Sequence, residues 1–240
     1  MLIKNSPNRL EFAVLKVAEH AVSFEPSLNW TEMSEHELWC ELVSCILGSK
    51  VSFEHAQAAT IFLNNVGLLD ITNTTFIQQG LEVNIAYALS KPIYPPITNS
   101  GKGRRYRYYR LRANHIFRSA KSIYGQGDSI KRILTQSKDA RAARSNIMAI
   151  AYGVGPKQAS LFLRNIGYAD NLAILDSHVL RFMELQAFIS KSPLSVSHLN
   201  TYERIETILQ EYGENINVKL SCLDRAIWVV MRVFKKEFTQ

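Results

Sequence analysis

Lys157 follows a Gly153-Val154-Gly155-Pro156 turn, and Asp176 ends the apolar stretch "LAIL" just before "SHVLRFM". A lysine in the first turn of a helix is an unusual choice. Ser, Thr or Asp commonly cap helix starts, and the positive end of the macrodipole disfavours an ammonium there. The same field should lower the pKa of the amine, and a neutral amine is a nucleophile. Taken alone, such a lysine is more often solvated or paired with a phosphate. An aspartate before a helix is, by itself, more often an N-cap. The functional alternative is that this carboxylate faces the hairpin lysine across a cleft.

The local pattern predicts the elements that would position this pair. A helix through "SNIMAIAY" is expected to stop at Gly153, because glycine can adopt the left-handed conformation that closes a helix. A tight turn through Val154 and Gly155 follows. Pro156 suits the first turn of the next helix, where its missing N–H has no intrahelical acceptor. The expectation is helix, short hairpin, helix, with backbone N–H groups presented at a helix N-terminus that can hold a phosphate. Gly-x-Gly by itself also fits a plain interhelical turn.

Elsewhere, apolar residues recur at helical spacing: Leu10, Ala13, Val14, Val17; Trp39, Leu42, Val43, Ile46; Ala159, Phe162, Leu163, Ile166; Leu223, Ala226, Ile227, Val230. The fold class is therefore all-α. A short strand or a compact loop fits "AILDS". The Pro-rich stretch 90–105 is expected to be a lobe boundary or a long surface loop, and a second loop spans 190–204. With 240 residues, 47% hydrophobic, the chain can bury a substantial core in one domain or two closely packed lobes. No apolar run approaches the ~18 residues of a membrane span, and charges interrupt the N-terminal segment. A cytoplasmic protein is expected, or a nuclear one if the source is eukaryotic. Cys40, Cys45 and Cys222 make no zinc pattern, and three cysteines exclude a protein-ligated four-cysteine iron-sulfur cluster.

A net charge of +7 and a pI near 9.3 suggest a polyanionic partner, and the charge is unevenly placed. Lys102 to Lys121, "KGRRYRYYRLRANHIFRSAK", contains no Asp or Glu and interleaves Tyr106, Tyr108 and Tyr109 with arginines. Charge runs are usually solvated faces. This one leads straight into the helix before the hairpin, which favours DNA binding, with Arg107, Arg110 and Arg112 as phosphate contacts.

"GVGPKQASLFLRNIGY" followed by "LAILDSHVLR" resembles the helix-hairpin-helix and Gly/Pro-Asp signature of the base-excision DNA glycosylases. More narrowly, it resembles the archaeal-type 8-oxoguanine DNA glycosylase/AP lyases. "ELVSCILGSK" (41–50), "YRLRANHIFRSAKSIYG" (109–125) and "LDRAIWVVMR" (223–232) extend the resemblance over most of the chain from about residue 36. It implies a two-lobe helical fold with the active site in the cleft. The lobes are expected at 1–100, 101–190 and 191–240: a first helical lobe on which part of the C-terminal segment packs, the hairpin lobe with Lys157 and Asp176, and C-terminal helices that complete a base pocket.

The resemblance further implies that Lys157 attacks the sugar C1′ and forms a Schiff base, after which β-elimination cuts the strand. Asp176 would stabilise positive charge on the sugar. Backbone contacts to DNA would come from Gly153, Val154 and Gly155. His178 matches the family's Asp-x-His and is either a phosphate donor or a solvent-exposed histidine. Arg181 is either a phosphate contact or a partner for Glu184. Trp228 could stack on an extruded purine with Asp224 lining the same pocket, whereas Trp39 belongs to an apolar helical stripe and to the core. No cofactor is required, although family hairpins, here 150–155, can hold a monovalent cation.

The expected partner is double-stranded DNA containing a damaged base, with no membrane, and a monomer is the default. Two departures bear on the lesion. Compact relatives end with a lysine used in guanine-lesion recognition, whereas this chain ends at Gln240. "CILGSK" also lacks a Gln or Asn that many superfamily members carry there. The rival readings are the same chemistry on another modified base and a non-catalytic DNA-binding module.

Overall fold

Where apolar residues recur at helical period, the computed structural model has helices. It describes residues 8–21, 29–71, 80–94, 103–190 and 196–237. In chain order these contain α1 (Arg9–Ala21), α2 (Glu35–Leu47), α3 (Phe53–Asn65), α4 (Leu81–Leu89), β1 (Pro92–Tyr94), β2 (Arg104–Arg105), α5 (Tyr109–Tyr124), α6 (Ile130–Gln136), α7 (Ala140–Ile150), α8 (Pro156–Asn165), α9 (Ser177–Leu185), α10 (Leu199–Asn215) and α11 (Leu220–Glu237). The all-α expectation holds, with one short antiparallel strand pair among the described residues.

The chain divides into two compact units, Leu28–Tyr168 and Met1–Ser27 with Ala169–Gln240. Lys157 belongs to the first and Asp176 to the second. These limits differ from divisions at 100 and 190. Around the Pro-rich stretch, β1 pairs with β2 and α4 packs along α5, so apolar contact continues across it within one unit. Residues 95–102 of that stretch, 191–195 of the second loop and the C-terminal 238–240, on which the expectation about a terminal lysine falls, lie outside the described residues.

In the unit 28–168, α2 is the central element and contacts α3, α5, α6 and α8. Its start is set by Ser34, whose side chain accepts from Glu37 N while the Glu37 carboxylate takes Ser34 N at 2.7 Å, a capping box written as S-x-x-E. Trp39, Leu42, Val43 and Ile46 are fully buried, each stabilising by roughly 1.5–3 kcal/mol as far as the aliphatic side chains go. Trp39 meets Tyr124 edge-on at 5.6 Å, in the core as its stripe predicted. Glu35 bridges to the next layer: it accepts from Tyr124 Oη and from the backbone N of Ile130 and Lys131, at the start of α6.

In the other unit, α1 and α9 pack against α11. Val14 and Ala18 of α1 join Val179, Phe182, Met183, Tyr202, Ile205, Leu209, Leu223, Ala226 and Ile227 in one buried cluster. The Tyr212 hydroxyl donates to Glu11 at 2.8 Å and ties α10 to α1.

Candidate active site

The hairpin before Lys157 is held from beneath by α5. Helix α7 ends at Ile150, with Ala151 as its cap, two residues before the glycine stop the sequence suggested. Gly153 has φ of +73°, a conformation that costs a non-glycine residue roughly 1–2 kcal/mol. Space demands glycine there as well, since a Cβ would lie 2.1 Å from His115 Nδ1. That ring is fixed by Arg112, whose guanidinium meets Nδ1 at 3.1 Å. Burial first, then Arg112 and Arg118, hold the His115 pKa below its ordinary value. Tyr152 N donates to Ser119 Oγ at 2.8 Å, and Ser119 Oγ donates to His115 O at 2.7 Å. Arg118 covers the Tyr152 ring at 3.9 Å. Arg144 of α7, fully buried, reaches Ser160 Oγ of α8 and ties the two hairpin helices together.

Gly155 is the N-cap of α8 and makes no side-chain cap, Pro156 is the first helical residue and Lys157 the second. No hydroxyl or carboxylate caps this end, so it remains suited to an exogenous anion. Lys157 is half-buried and acts electrostatically on Cys45 of α2. Burial, then Glu41, pushes the Cys45 thiol well up, and Lys157 acts in the opposite direction. Glu41 itself accepts from Asn165 Nδ2 at 2.7 Å, and burial raises its pKa.

Asp176 is the N-cap of α9, and both cap bonds, from His178 N at 2.8 Å and Val179 N at 2.9 Å, go to Oδ1. The capping role and a role for the rest of the carboxylate are therefore compatible. The preceding "AILDS" is a loop rather than a strand. It is held by side chains: Ala173 N donates to Glu206, Ile174 N to Asp224 and Leu175 N to the Tyr202 hydroxyl.

The other sequence-derived residues fall into two sets. Arg107 and Arg110 are exposed and lie over Tyr108 and Tyr109 at 5.3 and 5.5 Å. Val154 is 7% exposed and its N–H donates to Ala151 O at 3.3 Å, so the hairpin turns inward at that point. His178 is half-buried, Trp228 is 38% exposed with Arg232 over its ring at 4.9 Å, and Arg181 is exposed and pairs with Glu184 at 3.0 Å.

Arg112 differs from the expectation that it contacts phosphate. It is 5% exposed and donates to Ser49 O at 3.1 Å, because its place on α5 turns it inward toward α2 and the hairpin. Tyr106 is likewise fully buried, with its hydroxyl on Leu47 O and its pKa pushed up by burial to about 12. Asp224, expected to line a base pocket, is 2% exposed and occupied by the loop amide. Among the described residues no group of three or more His, Cys, Asp or Glu is placed to hold a metal ion, and no helix is long and apolar enough to cross a membrane.

A profile of the family described as 8-oxoguanine DNA glycosylase matches residues 96–218, which include both Lys157 and Asp176. An 8-oxoguanine DNA glycosylase/AP lyase of Sulfolobus acidocaldarius is 35% identical over 197 residues, 81% of this chain and 82% of that protein. The chain belongs to the 8-oxoguanine DNA glycosylase family. Solved structures agree with this family placement. The Methanocaldococcus jannaschii 8-oxoguanine glycosylase/lyase, in complex with a 15mer DNA containing 8-oxoguanine, aligns with a TM-score of 0.64 at 27% identity over 92% of this chain and 90% of that one. The 8-oxoguanine DNA glycosylase of Thermotoga maritima aligns at 0.63 and 26%, over 90% and 86%.

In this member of the family, sequence reasoning missed His115, Ser119 and Arg144 under the hairpin and Tyr202 and Glu206 behind Asp176. Glu206 and Asp224 carried a usable signal: each is a carboxylate on an otherwise apolar helical face, between Tyr202, Ile205 and Leu209 or between Leu223, Ala226 and Ile227. Buried charges are rare unless paired or hydrogen-bonded.

Proposed function

We propose that this protein is a DNA glycosylase with AP lyase activity that removes 8-oxoguanine from double-stranded DNA. The observation that carries the reading is Lys157, second residue of a helix behind a braced glycine hairpin, in a chain whose relatives are named glycosylase/AP lyases. A phosphate clamp could use Lys157 as a charge and Asp176 as a cap, each alone, and what it has no need of is the two together.

In the proposed reaction the base is first drawn out of the stack, at a cost of a few kcal/mol. The Lys157 amine bonds to C1′ as the bond from C1′ to the base nitrogen breaks, and the electron pair leaves with the base. The Asp176 carboxylate stabilises the positive charge that develops on the sugar. A proton passes from the nitrogen to O4′ as the C1′–O4′ bond breaks, which opens the ring and gives a Schiff base between Lys157 and C1′. Removal of a C2′ proton then expels the 3′ phosphate, and water releases the lysine from the sugar.

Of the hairpin residues expected to contact DNA, the backbone N–H groups of Gly153 and Gly155 are assigned to a phosphate, the Val154 N–H being taken by Ala151 O. Arg107 and Arg110 serve the same polyanion, with His178 and Arg181 as further contacts. Trp228 is the stacking candidate for the base. The hairpin 150–155 is where a monovalent cation would bridge to phosphate. The protein is taken to act as a monomer in the compartment that holds DNA.

The test is a panel of duplexes carrying 8-oxoguanine, an oxidised pyrimidine or an alkylated purine. Release of 8-oxoguanine with concomitant nicking is expected. Inactivity on that duplex together with excision of another base would refute the substrate assignment.

A further inference from the structure

Asp176 stands at the end of a segment, 172–176, that has no helix or strand of its own. Three consecutive backbone amides ahead of it are nevertheless bound, each by a different buried side chain. Ala173 N donates to Glu206 at 2.9 Å, Ile174 N to Asp224 Oδ2 at 2.7 Å and Leu175 N to Tyr202 Oη at 3.1 Å. The Tyr202 hydroxyl donates onward to Ala173 O at 2.6 Å. Asp176 N itself is directed to Ile174 O at 2.9 Å. Tyr202 and Glu206 are fully buried and Asp224 is 2% exposed.

Two carboxylates in the interior are a costly way to fill space, and apolar residues would pack the same volume at lower cost. What carboxylates and a phenol add is direction. They dictate where successive amides point, and so they fix the backbone of a loop that has no regular ladder. The chain then enters α9 with Asp176 already oriented, and the amides of His178 and Val179 complete the constraint on Oδ1.

We infer that Tyr202, Glu206 and Asp224 are positioning residues for base excision, setting the backbone of 173–175 and through it the place and direction of the Asp176 carboxylate. The inference rests on the reading of Asp176 given above. α10 and α11 thus serve the chemistry as well as the core, and Asp224 acts from behind the catalytic loop rather than on the base. A second support that must hold a carboxylate to a fraction of an ångström is the expected companion of electrostatic catalysis.

The test uses the full-length protein with Tyr202→Phe and Glu206→Leu, each made alone and combined with Asp176→Asn. Single-turnover excision of 8-oxoguanine is measured beside the Kd for a duplex carrying a tetrahydrofuran abasic analogue. Glu206→Leu exchanges a buried carboxylate for an apolar side chain of similar size and is expected to fold. In the wild-type background each change lowers the excision rate about tenfold or more, with Kd within about twofold of wild type. In the Asp176→Asn background the same changes cost less than about twofold, because the group they position has been neutralised. Glu206→Gln, whose amide oxygen can still accept from Ala173, recovers most of what Glu206→Leu loses.

An unchanged rate in the wild-type background overturns the inference. An equal fold-loss in both backgrounds also overturns it, because that marks a general effect on folding. If Asp176→Asn alone excises at the wild-type rate, the reading of Asp176 fails and the inference with it, an outcome distinct from the other two.

Discussion

Asp176 caps α9, and the proposed role of its charge in excision can be separated from that cap by substitution. Asparagine caps a helix about as well as aspartate, so Asp176→Asn is expected to keep the thermal stability of the wild type while losing roughly 10²–10³ of the excision rate with the charge. Asp176→Ala removes the cap as well and should cost about 1 kcal/mol of folding stability, read by urea unfolding. Equal stability of the two variants would show that the cap bonds contribute nothing. The local settings of Lys157 and Asp176 were legible from sequence because each is anchored by its immediate neighbours, a glycine turn in one case and an apolar run meeting a helix start in the other. Asp224 and Arg112 were assigned to the wrong surroundings for a physical reason. Asp224 accepts from Ile174, 50 residues away, and Arg112 donates to Ser49, 63 residues away, as well as meeting His115 nearby, and no local pattern records the distant partners.

At the scale of elements, the hairpin depends on α5 as much as on its own glycines. Gly153→Ala forces a left-handed backbone on alanine and drives a methyl into the His115 ring. The expected result is a loss of about 1–2 kcal/mol from the backbone alone, together with weakened duplex binding. Unaltered stability and binding would mean that the turn is not held as described. The contact of α2 with α8 has its own signature through Glu41. Burial is the largest influence on this carboxyl and raises its pKa above 4.5, outweighing the bonds from Asn165 and Cys45 that lower it. The folded state therefore holds the proton more tightly than the unfolded chain. The stability this contributes is complete below pH 4.5 and is lost as the pH rises through the folded-state value. Glu41→Gln should consequently raise the melting temperature most at neutral pH, with the gain shrinking toward acid, as a Tm series against pH would reveal. The helices themselves were legible because burial follows their apolar period. The bracing residues on α5 were not, since a serine or histidine on a helix carries no periodic mark.

For the whole molecule, the excess of positive charge is expected to act through a few exposed arginines. Duplex affinity should fall steeply with salt, and Arg107→Ala and Arg110→Ala should each reduce the salt slope by about 1. Arg112→Ala should instead lower stability by about 1–3 kcal/mol, because it leaves the Ser49 carbonyl and His115 without their partner. An Arg112 variant that altered only the salt slope would return that residue to the DNA-facing set. The division of the chain was the least legible feature in the sequence. Residues 9–21 share a core with 173–231, and that pairing depends on which apolar faces meet in three dimensions rather than on any break in composition. The chemistry is open to a direct test. Borohydride added to the full-length protein with a duplex containing 8-oxoguanine should trap a covalent protein–DNA complex, and Lys157→Gln should yield none. A complex that forms equally well with Lys157→Gln would contradict the assignment of Lys157 as the nucleophile.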